Sequence, residues 1–338
     1  MLELFVNIDL FYILVNNGIK ADLQGVEYSP YAFTDKDYPL KHILLLVEYN
    51  FLNAYSMVKN IYHDDDNEFC FLYYMLFEFE SCSKDKYEDI MKILKLLISQ
   101  VKDISSLGHY RYRNFYSVMS AVIDEGEKGE KLKALFEEQG LDINPPKVSP
   151  KGLKYYPATL GELMDLCDDL SVNLADIDIG LLTNLDSLFE SSKREDYSGI
   201  ETWDTSNILS MSCTFYNNEI FNTDISSWDV SNVKDMSKMF CFASNFNQPL
   251  NAWDVSNVEN MESMFQGASA FNQPLDKWNP ISVKDIRDMF LDAHSFCQNL
   301  DSWKIEEVLG GYESTFYRSP LWSNPPSWSG FAKEKENR

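Results

Sequence analysis

The chain has 338 residues, a formal net charge of −24, 45% hydrophobic residues and 14% aromatic residues. That length suits about two domains, and the apolar content is enough to build their cores. Such acidity argues against nucleic-acid and anionic-membrane surfaces, which call for a basic footprint; solubility or a basic protein partner suits it better.

The apolar start at 2–15 contains Glu3, Asn7 and Asp9 and lacks a basic leading segment, so no secretory signal is expected. No run of 18 apolar residues exists, and no membrane insertion is expected. As the chain stands, these features point to the cytoplasm. Cys70, Cys82, Cys167, Cys213, Cys241 and Cys297 form no C-x-x-C pair. The three in the repeats occupy different repeat positions, so they read as small hydrophobes in a reducing compartment.

Residues 1–148 read as an all-α domain. Apolar residues recur at three- and four-residue spacing over 40–50, 69–79, 87–99, 115–124 and 130–139. Ile90, Ile93, Leu94, Leu97 and Ile98 make one clear stripe. The segment from His63 to Glu68 is the best metal candidate, but it lacks the spaced ligands and glycine of a calcium loop and reads as a solvated turn. Proline and glycine crowd Pro145, Pro146, Pro150 and Gly152, and residues 149–158 are expected to be a linker. Thr159 and Glu162 then form a capping-box pattern ahead of Leu163, Met164, Leu166, Cys167 and Leu170, predicting a short helix that caps the array of repeats. Ile177, Ile179, Leu182, Leu185, Leu188 and Phe189 read as a first, degenerate coil.

From there Trp203, Trp228, Trp253, Trp278, Trp303 and Trp328 recur every 25 residues. A fixed period of this size predicts a solenoid over 159–330, with a charged tail at 331–338. Ile225-x-x-Trp228-x-Val230 has the form of a strand that would add to its equivalent in the next coil. Val233, Met236, Met239 and Phe240 have helical spacing, with Asn232 as a plausible N-cap and Asn207 and Asn257 as its equivalents. The same asparagines could instead stack as a ladder that satisfies backbone groups. Gly267 reads as a helix C-cap. The expected class is therefore an α/β solenoid, one parallel strand and one short helix per coil, preceded by the helical domain. The structural core would hold the six tryptophans with Phe240, Phe265 and Phe290. A buried tryptophan removes roughly 150–250 Å² from water, at most about 4–6 kcal/mol.

The runs 221–240, 246–265 and 271–290 resemble the repeats of BspA-like leucine-rich-repeat surface proteins of bacteria. The resemblance rests on Trp-Asp-Val-Ser-Asn-Val at 228–233 and 253–258 and on Met-Phe at 239–240, 264–265 and 289–290. The copies at 278–283 and 303–308 depart from it. That resemblance implies a leucine-rich-repeat-like fold with a role in surface display, adhesion or host interaction, and so a surface or secreted location as the alternative. Residues 114–144 and 70–105 resemble degenerate ankyrin repeats without the T-P-L-H turn, which implies protein binding.

Chemistry is harder to find. His42, His63, His109 and His294 show no ligand spacing, and no P-loop, G-x-G-x-x-G, G-x-S-x-G or H-E-x-x-H motif appears. The expectation is no enzyme, no cofactor and no metal. On the proposed strands, Asp204, Asp229, Asp254, Asn279 and Lys304 follow the tryptophans, while Ser227 and Lys277 are among the residues preceding them. With tryptophan pointing inward these columns face solvent. The aspartates then form a docking stripe for a basic or polar protein, or each only bonds the turn at Ser231 or its equivalent. The functional expectation is a non-enzymatic protein-interaction scaffold, with a bacterial adhesin as the alternative; an acidic decoy rests on charge alone. The partner and the oligomeric state are not legible in the sequence.

Overall fold

The computed structural model describes residues 57–59, 68–70, 72, 75–76, 86–102, 104–107, 114–123, 126–305 and 314–328. The helix expected over 40–50, most of that over 69–79, the turn at 63–67, His42, His63, His109 and the tail at 331–338 lie outside the described residues. The chain divides into two compact units, Met1–Arg111 with Val118–Ile143, and Tyr112–Ser117 with Asn144–Arg338.

In the first unit, β1 (Met57–Lys59) and β2 (Glu68–Cys70) pair antiparallel, with Val58 opposite Phe69. The all-α expectation is corrected at this point, because 68–70 pairs across strands where the apolar spacing suggests a helix. The helix α1 (Tyr87–Ser99) buries the predicted stripe of Ile90, Ile93, Leu94, Leu97 and Ile98. It packs on α3 (Glu127–Glu138), which buries Leu132 and Phe136. Between them in sequence lies α2 (Phe115–Val122), whose start is capped by Asn114: its Oδ1 accepts the Ser117 N–H at 2.7 Å.

The second unit opens with a short helix, α4 (Leu160–Asp168), that buries Leu163 and Cys167. The capping-box residues act as the sequence predicts: Thr159 Oγ1 accepts the Glu162 N–H, and Glu162 in return accepts the Ala158 N–H at 2.7 Å. Residues 149–158 do not behave as a free linker. Tyr155 pairs in parallel with Ile177, and Ser149 is buried with its hydroxyl on Asp178, so polar groups of this segment find their partners on the first coil.

Beyond α4 the chain stacks copy upon copy. Parallel bridges run Asn184–Ser210–Asp235–Asn260–Asp285. The paired positions lie in the Met-Phe half of each copy, not in the Trp half. Met236, Lys238, Phe240 and Phe242 donate their N–H groups to Asn260, Glu262, Met264 and Gln266 in the next copy, at 2.7–2.9 Å. Met239 and Cys241 between them, and Ala243 after them, bond back three residues within their own copy, while the Ser237 N–H bonds Asp235 Oδ1. The same alternation joins Met211, Cys213, Phe215 and Asn217 to the following coil, and Met261, Ser263, Phe265 and Gly267 to the one after that.

Neither element expected within the coil forms. The spacing over 233–240 predicts a helix, yet an α-helix needs successive amides to bond four residues back. Alternate amides here leave the coil, and two residues per coil are left-handed: Cys213 and Asn217, Lys238 and Phe242, Ser263 and Gly267, Asp288 and Asp292, all with φ between 55° and 67°. Gly267 is accordingly a left-handed turn residue rather than a helix cap, and the Phe242 ring lies where a Cβ on it would project. The strand expected over 225–230 is a turn instead, because the Trp228 N–H bonds back to the Ile225 carbonyl.

The core runs the length of the stack. Trp203, Trp228, Trp253, Trp278, Trp303 and Trp328 are all buried, at most 5% exposed. Trp203 stacks on Trp228 at 6.4 Å, Trp278 on Trp303 at 5.8 Å and Trp303 on Trp328 at 5.6 Å between ring centroids. A second column of Phe215, Phe240, Phe265, Phe290 and Phe316 stacks at 5.5–5.7 Å. A third, Phe221, Phe246, Phe271 and Phe296, stacks at 5.6–5.8 Å beside it. Phe316 keeps its place although it follows Phe290 by 26 residues rather than 25.

Candidate functional site

Each indole fixes its coil to the one before. Trp228, Trp253, Trp278, Trp303 and Trp328 donate Nε1–H to the carbonyls of Ile200, Ile225, Leu250, Leu275 and Leu300, at 2.8–3.3 Å. Trp203 does the same to Leu174 at 2.9 Å. A buried indole N–H must find an acceptor, and the carbonyl of the apolar residue three before the previous tryptophan supplies it. Asn207, Asn232 and Asn257 donate their side-chain amides to the carbonyls of Gly180, Ser206 and Ser231. Of the two roles open to these asparagines, they form the ladder and cap no helix.

With the rings held inward, the flanking columns are held outward. Asp204, Asp229, Asp254, Asn279 and Lys304 are all exposed, as are Ser227 and Lys277. Ser227 and Lys277 are bonded across coils, the Ser227 hydroxyl to the Glu201 carbonyl and the Lys277 N–H to Asn251 Oδ1.

The aspartates share one geometry. Oδ1 of Asp229 accepts both the N–H and the hydroxyl of Ser231, at 3.0 and 2.7 Å. Asp204 does the same with Ser206, and Asp254 accepts the Ser256 N–H at 3.0 Å. Bonding the turn and facing solvent thus coexist in the same carboxylates: one oxygen closes the turn and the residue stays exposed. The Ser256 bonds hold the Asp254 carboxyl below its ordinary range. Asp204 is pushed down to about 2, first by the Ser206 hydroxyl and then by the Lys151 ammonium. Lys151 Nζ sits 2.9 Å from Asp204 Oδ2 and 3.7 Å from Asp178 Oδ1.

Lys151 escaped sequence reasoning because it lies outside the repeat, where no period points to it. In one other column the charges alternate in sign: Lys234, Glu259 and Lys284 follow one another in successive coils, with Glu259 3.7 Å from Lys234 and 2.8 Å from Lys284. Asp229 and Asp254 have no ion-pair partner among the described residues.

A shallow polar notch of about 280 Å³ lies between Pro274, Asp276, Gln298, Asn299, Asp301 and Ser302. Its polar groups are largely committed to the stack. Ser302 donates to the Asp276 carbonyl, Gln298 to Asn272, and Asp301 accepts from Ser327. Burial pushes the Cys167 and Cys241 thiols up to about 12, which removes them as nucleophiles. Among the described residues no cluster of three or more His, Cys, Asp or Glu side chains could hold a metal ion, and no helix is long and apolar enough to cross a membrane.

Comparison with known proteins found no match among curated proteins and none among solved structures. The family described as "Mycoplasma protein of unknown function, DUF285" matches three times, over residues 160–264, 183–303 and 231–327. The three spans overlap at shifted starts, as a repeated sequence requires, and they leave the ankyrin-like reading of 1–148 resting on the sequence alone. The C-terminal part of the chain is a repeat region similar to that family.

Proposed function

We propose that this chain is a non-enzymatic protein-interaction scaffold whose C-terminal part is a leucine-rich-repeat-like solenoid and whose Trp-side flank docks a protein. One observation carries the reading. Asp229 and Asp254 sit in successive coils, exposed, with one carboxylate oxygen fixed in a turn and, among the described residues, no cation against the other. A surface already held in shape by the stack binds with little ordering cost, since the conformational entropy was spent in folding. A net charge of −24 adds long-range attraction for a basic partner.

The test is affinity capture with the full chain, followed by direct titration of the captured protein against wild type and Asp229→Lys/Asp254→Lys. The reading predicts at least a tenfold loss of affinity in the variant. Equal affinity would overturn it. The alternative reading, a bacterial surface adhesin, draws on the resemblance of the Trp-Asp-Val-Ser-Asn-Val repeats to BspA-like surface proteins. Detection of the chain on intact cells by an antibody that does not cross the envelope would favour it, and signal appearing only after lysis would count against it.

A further inference from the structure

We propose that residues 149–157 are a detachable strap, an autoinhibitory contact over the entry end of the Trp-side flank. It gives way when an extended partner segment, bearing a hydroxyl and two residues on a cation, takes its place. This rests on the docking reading above and names what regulates that surface.

The aspartate column begins one coil earlier than the repeats reveal. Asp178 follows Ile177 as Asp204 follows Trp203, and its Oδ1 accepts the Gly180 N–H at 3.0 Å as Asp204 Oδ1 accepts the Ser206 N–H. Leu174 offers its carbonyl to the Trp203 indole, as Ile200 does to Trp228, so the two coils are in register. Yet Asp178 is 2% exposed, whereas Asp229 and Asp254 face solvent. The chain's own strap covers it. The Ser149 hydroxyl donates to Asp178 Oδ2, and the Lys151 ammonium sits 3.7 Å from Asp178 and 2.9 Å from Asp204. The Tyr155 N–H donates to the Asp176 carbonyl and the Asp178 N–H to the Tyr155 carbonyl, which pairs the strap in parallel with Ile177. An extended segment is already seated on this flank.

The strap is held by polar contacts more than by burial. From 144 to 156 Ser149 alone is buried, and Val148 is 77% exposed. Opening it exchanges those contacts for water, which nearly balances, whereas opening a coil exposes stacked rings. Segments with few buried apolar contacts open locally while the core stays closed. The far end stays fixed, because Ala158 donates its N–H to Glu162 and accepts from the Asn114 side-chain amide at 2.9 Å. The strap is also ready to close. Pro146 and Pro150 hold the residues before them extended, and Gly152 makes the bend between the two attachments at φ 72°. A tethered strap competes at high effective concentration, and it lowers a partner's affinity by the fraction of molecules that are open.

Gly152 supplies the probe. A Cβ there meets nothing within 4 Å, so Gly152→Ala strains the closed strap through φ alone. Hydrogen exchange of the Tyr155 and Asp178 amides in the full chain reads the joint, and the Trp253 indole N–H reads the stack. After correction for intrinsic rates, both amides should show at least tenfold less protection than the indole. Gly152→Ala should lower theirs at least fivefold further and leave the indole within twofold. A capped peptide with the sequence of residues 148–157 is then titrated in trans, with the Ser206 amide shift as readout. It should bind Gly152→Ala at least fivefold more tightly than wild type, and the same peptide with alanine at the positions of Ser149 and Lys151 should bind neither. Two amides sharing the indole's protection, or a peptide that binds variant and wild type equally or binds neither, would overturn the proposal. Neither measurement uses a docked partner, so failure here leaves the docking reading standing. Equal partner affinity in Asp229→Lys/Asp254→Lys would instead remove that reading and leave the opening of the strap intact.

Discussion

The two faces of a coil are joined to their neighbours by different means. On the Met-Phe face, main-chain amides of alternate residues reach the next coil, and left-handed residues at two positions keep the chain turning. On the Trp face the chain folds into turns, and side chains make the inter-coil bonds: indole N–H groups, asparagine amides and the Ser227 hydroxyl all donate to carbonyls of the preceding coil. A backbone ladder tolerates many side chains, whereas a side-chain ladder demands the same residue at every step. That difference fits the constancy of the Trp positions, whereas the backbone-bonded face, periodic in its buried Met and Phe, carries Cys213, Lys238, Ser263 and Asp288 at one equivalent position.

The largest expected break is on the Trp face. Trp253→Ala removes a buried ring and its hydrogen bond together, and should cost about 3–5 kcal/mol in denaturant unfolding. Next comes the entry end, where Arg194, 6% exposed, donates to the carbonyls of Cys167, Asp169, Val172 and Asp196. This is the same side-chain-to-carbonyl device with a charge in it. Arg194→Met should cost about 2–4 kcal/mol by leaving buried acceptors unmet, seen as a lower unfolding midpoint. Trp253→Phe keeps a stacking ring and deletes the N–H, leaving the Ile225 carbonyl with the Trp228 N–H alone; about 1 kcal/mol is expected by the same assay.

On the backbone face the sign reverses. Lys238→Gly relieves a left-handed side chain at φ 56° and should stabilise by about 0.5–1 kcal/mol, measured by the shift in melting temperature. The smallest effect is at Asp204. Its carboxyl titrates near 2 in the folded chain, below the ordinary value of about 4, so its contribution is complete above about pH 4 and is lost as pH falls toward 2. The stability difference between wild type and Asp204→Asn should shrink over that window. Salt should shrink it at every pH, since the ion pair with Lys151 is solvent-exposed.

Much of the second unit was legible because burial constrains identity. The tryptophan positions, the phenylalanines at 240, 265 and 290 and the outward aspartates follow from which residues repeat, and the capping helix at 160–168 from the Thr159 and Glu162 pattern before its apolar face. Hydrogen-bond routing was not legible. Met236, Met239 and Phe240 have the same spacing in a helix and in a chain of turns, and of the left-handed positions in these coils only Gly267 is a glycine, with Asn217, Asp288 and Asp292 the weaker signals and Cys213, Lys238, Phe242 and Ser263 giving none. Lys151 was hidden for a different reason: its partner is fixed by how the segment before the repeats folds back, which no period encodes.

The stack depends most on the indoles being interior and bonded to carbonyls of the preceding coil. Hydrogen exchange of the seven indole N–H resonances tests this directly. Trp203, Trp228, Trp253, Trp278, Trp303 and Trp328 should exchange slowly, and Trp322, 49% exposed, should exchange fast. Seven indoles exchanging at one common fast rate would contradict the stack.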